Sequence, residues 1–262
     1  MSKSLTLRGV YVPLVTPIFH GSFDAESMKK LMVSLEQTVQ GYVPCLSSGE
    51  GASLSSSQWE EVISCVVEHT KKPVIAGILQ DSMKEIISYS KTALKLGCVA
   101  VIVPIPKGND GEIVRYFQEL SSKIELPIVL YNSDHSPLES AARIQELDNI
   151  ETIVGIKDSS QNLVFFKELV ELKSKGNLHL SVLQGMENQL YESVGCDGFL
   201  ISLLNAEPEL CGKIFQNPSE ELNAKVLNLF SEYNLAGSEW YLSLKELLYA
   251  KGVIRSPERV KK

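Results

Sequence analysis

Eight short apolar runs, rich in β-branched residues, are each followed by an amphipathic segment, and few folds accept that order. The runs cover residues 9–17, 42–47, 73–79, 99–103, 127–131, 152–157, 178–183 and 197–202. Most are continuously apolar rather than alternating, as parallel strands covered on both faces are. Helical patterns fill the gaps. Residues 24–39 carry Leu31, Met32, Leu35 and Val39 at helical spacing, and Ser57-Gln58-Trp59-Glu60 has the form of a capping box. Ser82-Met83-Lys84-Glu85 repeats that start signal and Gly97 supplies a stop. Residues 110–123, 138–147, 162–175, 187–194 and 208–215 continue the series, and two further amphipathic segments follow at 218–235 and 238–251. The expected fold is α/β, a (β/α)8 TIM barrel over residues 1–215 with a short C-terminal helical extension over 216–262 packed on it. A doubly wound sheet would carry a glycine-rich turn after its first strand, where this chain has Val15-Thr16-Pro17-Ile18.

Composition narrows the function. The 262 residues hold 25 Lys plus Arg and 32 Asp plus Glu, a formal net charge of −7, and basic residues cluster only in pairs such as Lys71-Lys72. Nucleic-acid binding wants a concentrated basic patch, so no nucleic-acid partner is expected. No apolar run approaches the roughly 18 residues that span a bilayer, and Met1 to Arg8 contain no apolar signal core, so neither a membrane partner nor secretion is expected. Five cysteines, odd in number, widely spaced and without a CxxC pair, read as reduced thiols of a cytoplasmic protein. The four histidines, His20, His69, His135 and His179, lack metal-ligand spacing, and no GxSxG, Walker A or GxGxxG pattern occurs.

A barrel gathers its chemistry at the C-terminal ends of its strands. Three of those ends stand out. In Val154-Gly155-Ile156-Lys157-Asp158-Ser159, a lysine closes an apolar strand. Strict alternation puts Val154 and Ile156 on the helix-facing side and Gly155 and Lys157 toward the barrel mouth. A lysine partly desolvated there loses proton affinity and can attack a carbonyl; a lysine that merely snorkels to solvent is the alternative. On the preceding strand, Tyr131 in Leu130-Tyr131-Asn132 would bring a phenol near that amine, suited to proton transfer, unless it only lines the barrel. Leu46-Ser47-Ser48-Gly49-Glu50 supplies two hydroxyls and a turn whose amides can cradle a carboxylate, and by itself reads equally as an ordinary Ser/Gly loop.

With Gly9-Val10-Tyr11-Val12-Pro13-Leu14-Val15-Thr16-Pro17, Cys196-Asp197-Gly198-Phe199-Leu200-Ile201-Ser202, Asn205 and Pro208, these segments make the chain resemble a known family over roughly residues 8–212. It is similar to the class I pyruvate-dependent lyases and aldolases, the family of dihydrodipicolinate synthase and N-acetylneuraminate lyase. The resemblance implies that Lys157 forms an imine with a 2-oxo acid of the pyruvate type, that Tyr131 shuttles protons, and that Ser47 and Ser48, in the turn with Gly49, hold the substrate carboxylate and relay protons. It implies that the Ile201 backbone lies near the bound acid, that an aldehyde is the second substrate, that no cofactor or metal takes part, and that the chain forms a homo-oligomer, a dimer or tetramer. The chain also departs from that family. A tyrosine pair of the synthases after strand four is replaced by Val103-Pro104-Ile105-Pro106-Lys107, and Ser136 stands where they carry an arginine. Without that guanidinium a second carboxylate loses its bidentate partner. Asp134, His135 and Ser136 are then expected to line the pocket of a polar, uncharged or weakly charged acceptor. Two other readings stay open: a catalytically weak barrel that binds a small carboxylate as a sensor or scaffold, and an aldolase for sugar phosphates, which would need a phosphate cradle after strands seven and eight.

Overall fold

The computed structural model describes residues 5–133 and 138–261, the side chain of Asp110 excepted. Eight parallel strands form one sheet: β1 (Gly9–Val12), β2 (Gly41–Tyr42), β3 (Ile75–Gly77), β4 (Ala100–Pro104), β5 (Ile128–Ser133), β6 (Ile153–Ser159), β7 (Ser181–Gln184) and β8 (Gly198–Leu200). The hydrogen-bonded order runs β2-β1-β8-β7-β6-β5-β4-β3, and a parallel bridge between Tyr42 and Val74 joins the two ends into a barrel. Among the described residues nine α-helices surround or follow it: α1 (Ala25–Leu35), α2 (Ser56–Glu68), α3 (Met83–Leu96), α4 (Asp110–Ser121), α5 (Ala141–Asp148), α6 (Leu163–Ser174), α7 (Pro208–Gln216), α8 (Glu220–Glu232) and α9 (Trp240–Ala250).

Two apolar layers hold this arrangement. Leu7, Tyr11, Val43, Leu46, Ile75, Ala100, Ile102, Val129, Val154, Leu183 and Leu200 fill the barrel interior, and a larger cluster packs the outer strand faces against the helices. Each fully buried aliphatic side chain contributes about 1.5–3 kcal/mol. Trp59, 1% exposed, spans from α2 to the barrel and donates its indole N–H to the Gly77 carbonyl at 2.8 Å, so the ring is buried with its polar atom satisfied.

Local signals set the helix ends. Ser82 caps α3 through the Glu85 amide, and Gly97 closes it in the left-handed region at φ 96°. The capping box of α2 is Ser55 with Gln58, two residues ahead of the expected Ser57 and Glu60. Trp59, Val62, Ile63 and Val66 lie on the buried face of the helix. Residues 187–194, expected to be a helix, instead make two 3-10 turns, Glu187–Gln189 and Tyr191–Ser193. The first strand is shorter than the apolar run 9–17 because Pro13 and Pro17 have no amide to donate, and the chain turns into a hairpin pairing Ile18 with Phe23.

The largest correction concerns β6. Ile128 pairs with Ile153, yet Val129 pairs with Gly155, so Val154 is an extra residue, a β-bulge. Val154 packs in the barrel interior, not toward the helices as strict alternation expects, whereas Ile156 does face outward.

Candidate active site

Beyond the bulge, β6 is in register with both neighbours: Lys157 lies opposite Tyr131 on β5 and Leu183 on β7. The lysine is 5% exposed, and its Nζ sits 4.5 Å from the centroid of the Tyr131 ring. Among the described residues that amine makes no hydrogen bond or ion pair. The Tyr131 hydroxyl lies 3.2 Å from Ser47 Oγ, and either atom can donate. Amine, phenol and serine hydroxyl, from three different strand ends, therefore form one short row.

Ser47, Ser48 and Gly49 form a 3-10 turn after β2. The amides of Gly49 and Gly51 donate to the Leu46 carbonyl (3.0 and 3.1 Å) and that of Glu50 to the Ser47 carbonyl (3.0 Å). Among the described residues the Ser47 and Ser48 amides have no acceptor, which leaves two donors for an anion. Thr16 at the end of the β1 segment donates its hydroxyl to the Gly49 carbonyl at 2.7 Å, and a Cβ on Gly49 would sit 2.8 Å from the Leu14 carbonyl oxygen. The turn is thus pressed against the first strand. Ile201 follows β8 with its side chain in the outer apolar cluster, so only its backbone can face the mouth. Asn205 joins the β8 and β1 ends, accepting from the Val15 amide (3.1 Å) and donating to the Pro13 carbonyl (2.9 Å). A cavity of about 800 Å³ opens above this group, lined by Ser47, Glu50, Leu79, Pro104–Lys107, Tyr131, Ser133 and Tyr241 among others. Lys157, Ser48, Gly49 and Ile201 are not among its lining residues. Ser136, with Asp134 and His135, lies outside the described residues.

Several contributors escaped the reading of the sequence. Gly185 follows β7, and a Cβ there would fall 2.8 Å from Lys157 Cε, so only glycine leaves the lysine its place. Asp158 points the opposite way from Lys157. It accepts from Asn132 Nδ2 at 2.7 Å, while Asn132 also accepts from the Leu138 amide at 2.8 Å. Burial pushes the Asp158 carboxyl up to about 6, against the Asn132 and Ser160 donors that lower it. Glu187, 5% exposed, accepts from the Ser202 amide (2.8 Å), the Leu203 amide (3.1 Å) and the Ser202 hydroxyl. The site's own carboxylate thereby occupies amides that a sugar phosphate would need after strands seven and eight. No group of three or more His, Cys, Asp or Glu side chains is placed to hold a metal among the described residues. Among them, too, no helix is long and apolar enough to cross a membrane.

The sequence pattern of the dihydrodipicolinate synthetase family matches residues 6–260. The chain belongs to this family. Among its relatives, a 4-hydroxy-tetrahydrodipicolinate synthase of Methanosarcina barkeri is 30% identical over 221 residues, spanning 77% of this chain and 72% of that one. A dihydrodipicolinate synthase structure from Bacteroides thetaiotaomicron superposes with a TM-score of 0.89 at 26% identity, covering 99% of this chain and 93% of its own. Another from Acinetobacter baumannii, complexed with pyruvate, gives 0.87 at 26% identity over 97% and 92% of the two chains. Like its family, the chain is a lyase of the class I aldolase type with a TIM-barrel fold.

Proposed function

We propose that Lys157 condenses with a pyruvate-type 2-oxo acid and that the resulting enamine is joined to, or released from, an aldehyde. The observation that carries this reading is the row of Lys157 Nζ, the Tyr131 ring and hydroxyl, and Ser47 Oγ at the mouth of the barrel. The unprotonated amine attacks the ketone carbon. The carbonyl oxygen takes one proton from the attacking nitrogen and a second along the Tyr131–Ser47 relay and leaves as water, giving an iminium. The iminium draws electrons from the adjacent methyl, which gives up a proton to become an enamine, and the enamine carbon attacks the aldehyde. In the reverse direction the same bonds break in the opposite order. The Ser47 and Ser48 amides hold the substrate carboxylate, and the Ile201 backbone borders it on the far side.

The acceptor is expected to differ from that of the synthases among the relatives. At Ser136 no guanidinium is available for a second carboxylate, and Pro104–Lys107 line the cavity where the resemblance calls for tyrosines. We assign the cavity above Tyr131 to this aldehyde.

Borohydride reduction in the presence of pyruvate tests the reading. A pyruvate adduct on Lys157, found by peptide mass spectrometry, and its loss in a folded Lys157→Ala variant are the expected results. Pyruvate bound without any reducible adduct would mean a binding barrel instead of a lyase of this kind.

A further inference from the structure

The chain's last residues return to the catalytic face. After α9, Arg255 forms a two-point pair with Asp24 at the start of α1, through Nε (2.7 Å) and Nη2, and stacks 4.5 Å over the Phe19 ring. The Glu258 carboxylate accepts from the amides of His20 (3.3 Å) and Gly21 (3.1 Å) in the hairpin after β1. The buried Val260 then donates its amide to Glu50 Oε2 at 2.9 Å. The other Glu50 oxygen pairs with Lys245 of α9, whose side chain is 0% exposed and which also donates to the Glu258 carbonyl at 2.7 Å.

Glu50 directly follows Ser47-Ser48-Gly49 and sits in the left-handed region, φ 54° and ψ 34°. A non-glycine residue keeps that conformation only where its surroundings impose it. Burying a lysine and a glutamate together seldom stabilises a fold more than apolar side chains of the same size, so the pair's contribution lies in geometry. We infer that Glu50 is a positioning residue: Lys245 and the Val260 amide fix its carboxylate, and the carboxylate fixes the turn that aims Ser47 and Ser48 at the substrate. The tail thus acts on the site from outside it. This assignment rests on the Schiff-base reading of the same site.

Borohydride trapping at graded pyruvate concentrations, on protein shown by circular dichroism to be folded, gives both a half-saturating concentration and a limiting rate. Glu50→Ala, which releases both partners, is expected to raise the half-saturating concentration about tenfold or more, as a carboxylate cradle misplaced by a fraction of an ångström would. Glu50→Gln, which keeps one acceptor, falls between that variant and the parent. A chain ending at Arg259 loses the Val260 amide but keeps Lys245, and is expected to shift in the same direction by less; it decides the matter if Glu50→Ala does not fold. A purely structural role would lower the melting temperature alone. Folded Glu50→Ala, or the shortened chain in its place, with both parameters within about twofold of the parent overturns the inference. A parent that forms no adduct overturns the Schiff-base reading, and this assignment with it.

Discussion

Gly185→Ala adds a single methyl group, and the structure says where it goes. The new Cβ would lie 2.8 Å from Lys157 Cε, 2.7 Å from the Asp158 carbonyl oxygen and 2.1 Å from Ser159 Oγ. Comfortable carbon contacts are about 3.5–4.0 Å, so the lysine has to retreat by about 0.7–1.2 Å. Ser159 can rotate away, since its buried hydroxyl has no hydrogen-bond partner among the described residues. The backbone cannot open without breaking the bond from the Gly185 amide to the Asp158 carbonyl at 2.8 Å. Displacing a reacting atom by about 1 Å costs about a hundredfold in rate, or about 2.7 kcal/mol. Overpacking subtracts about 1–3 kcal/mol from stability. The assay is the rate of borohydride trapping at saturating pyruvate, with urea unfolding measured on the same protein. A variant that traps at the parental rate would refute the idea that β7 confines the amine.

Tyr131→Phe keeps the ring under the amine but removes the hydroxyl bonded to Ser47; turnover in an aldehyde-coupled assay is expected to fall about 10²–10⁴-fold while the Lys157 adduct still forms. Full turnover would take the phenol out of the proton path. The Asp158 carboxyl, raised from 3.8 to about 6, binds its proton more tightly folded than unfolded. Its stabilising contribution is therefore complete below pH 3.8 and is lost as the pH rises through about 6, with the difference of about 2.2 pH units amounting to about 3 kcal/mol. Asp158→Asn is expected to abolish that slope; urea unfolding of parent and variant at a series of pH values between 4 and 7 reads it, and parallel curves would contradict the cause assigned here.

The strands were legible because a barrel covers them on both faces, so each must be an apolar run regardless of its partners. Their limits were not, because apolar character does not reveal where a ladder stops: the run from Gly9 continues to Pro17, while the strand ends at Val12. The α2 start was ambiguous for a related reason. Both Ser55 with Gln58 and Ser57 with Glu60 satisfy the capping pattern, and in the structure the first pair closes the box. Lys157 and Tyr131 stood out because a polar residue closing an apolar strand breaks its pattern, and the fold brings the two together. Glu50 and Lys245 could not be paired in this way, being 195 residues apart and joined only by the fold. Gly185 had no signal at all, since its importance is the space it leaves for another strand's side chain.

The supernumerary Val154 has an effect out of proportion to its size. Because Ile153 faces the helices and Val154 the interior, uninterrupted alternation would point position 157 outward, into the helix layer. The bulge at Val154 resets the parity of everything after it on β6, so Lys157 owes its inward orientation to an irregularity three positions upstream. Straightening the strand with Val154 retained would leave every proposed site residue in the chain and still send the amine to the wrong side of the wall, whereas deleting Val154 would remove the bulge and leave Lys157 facing inward.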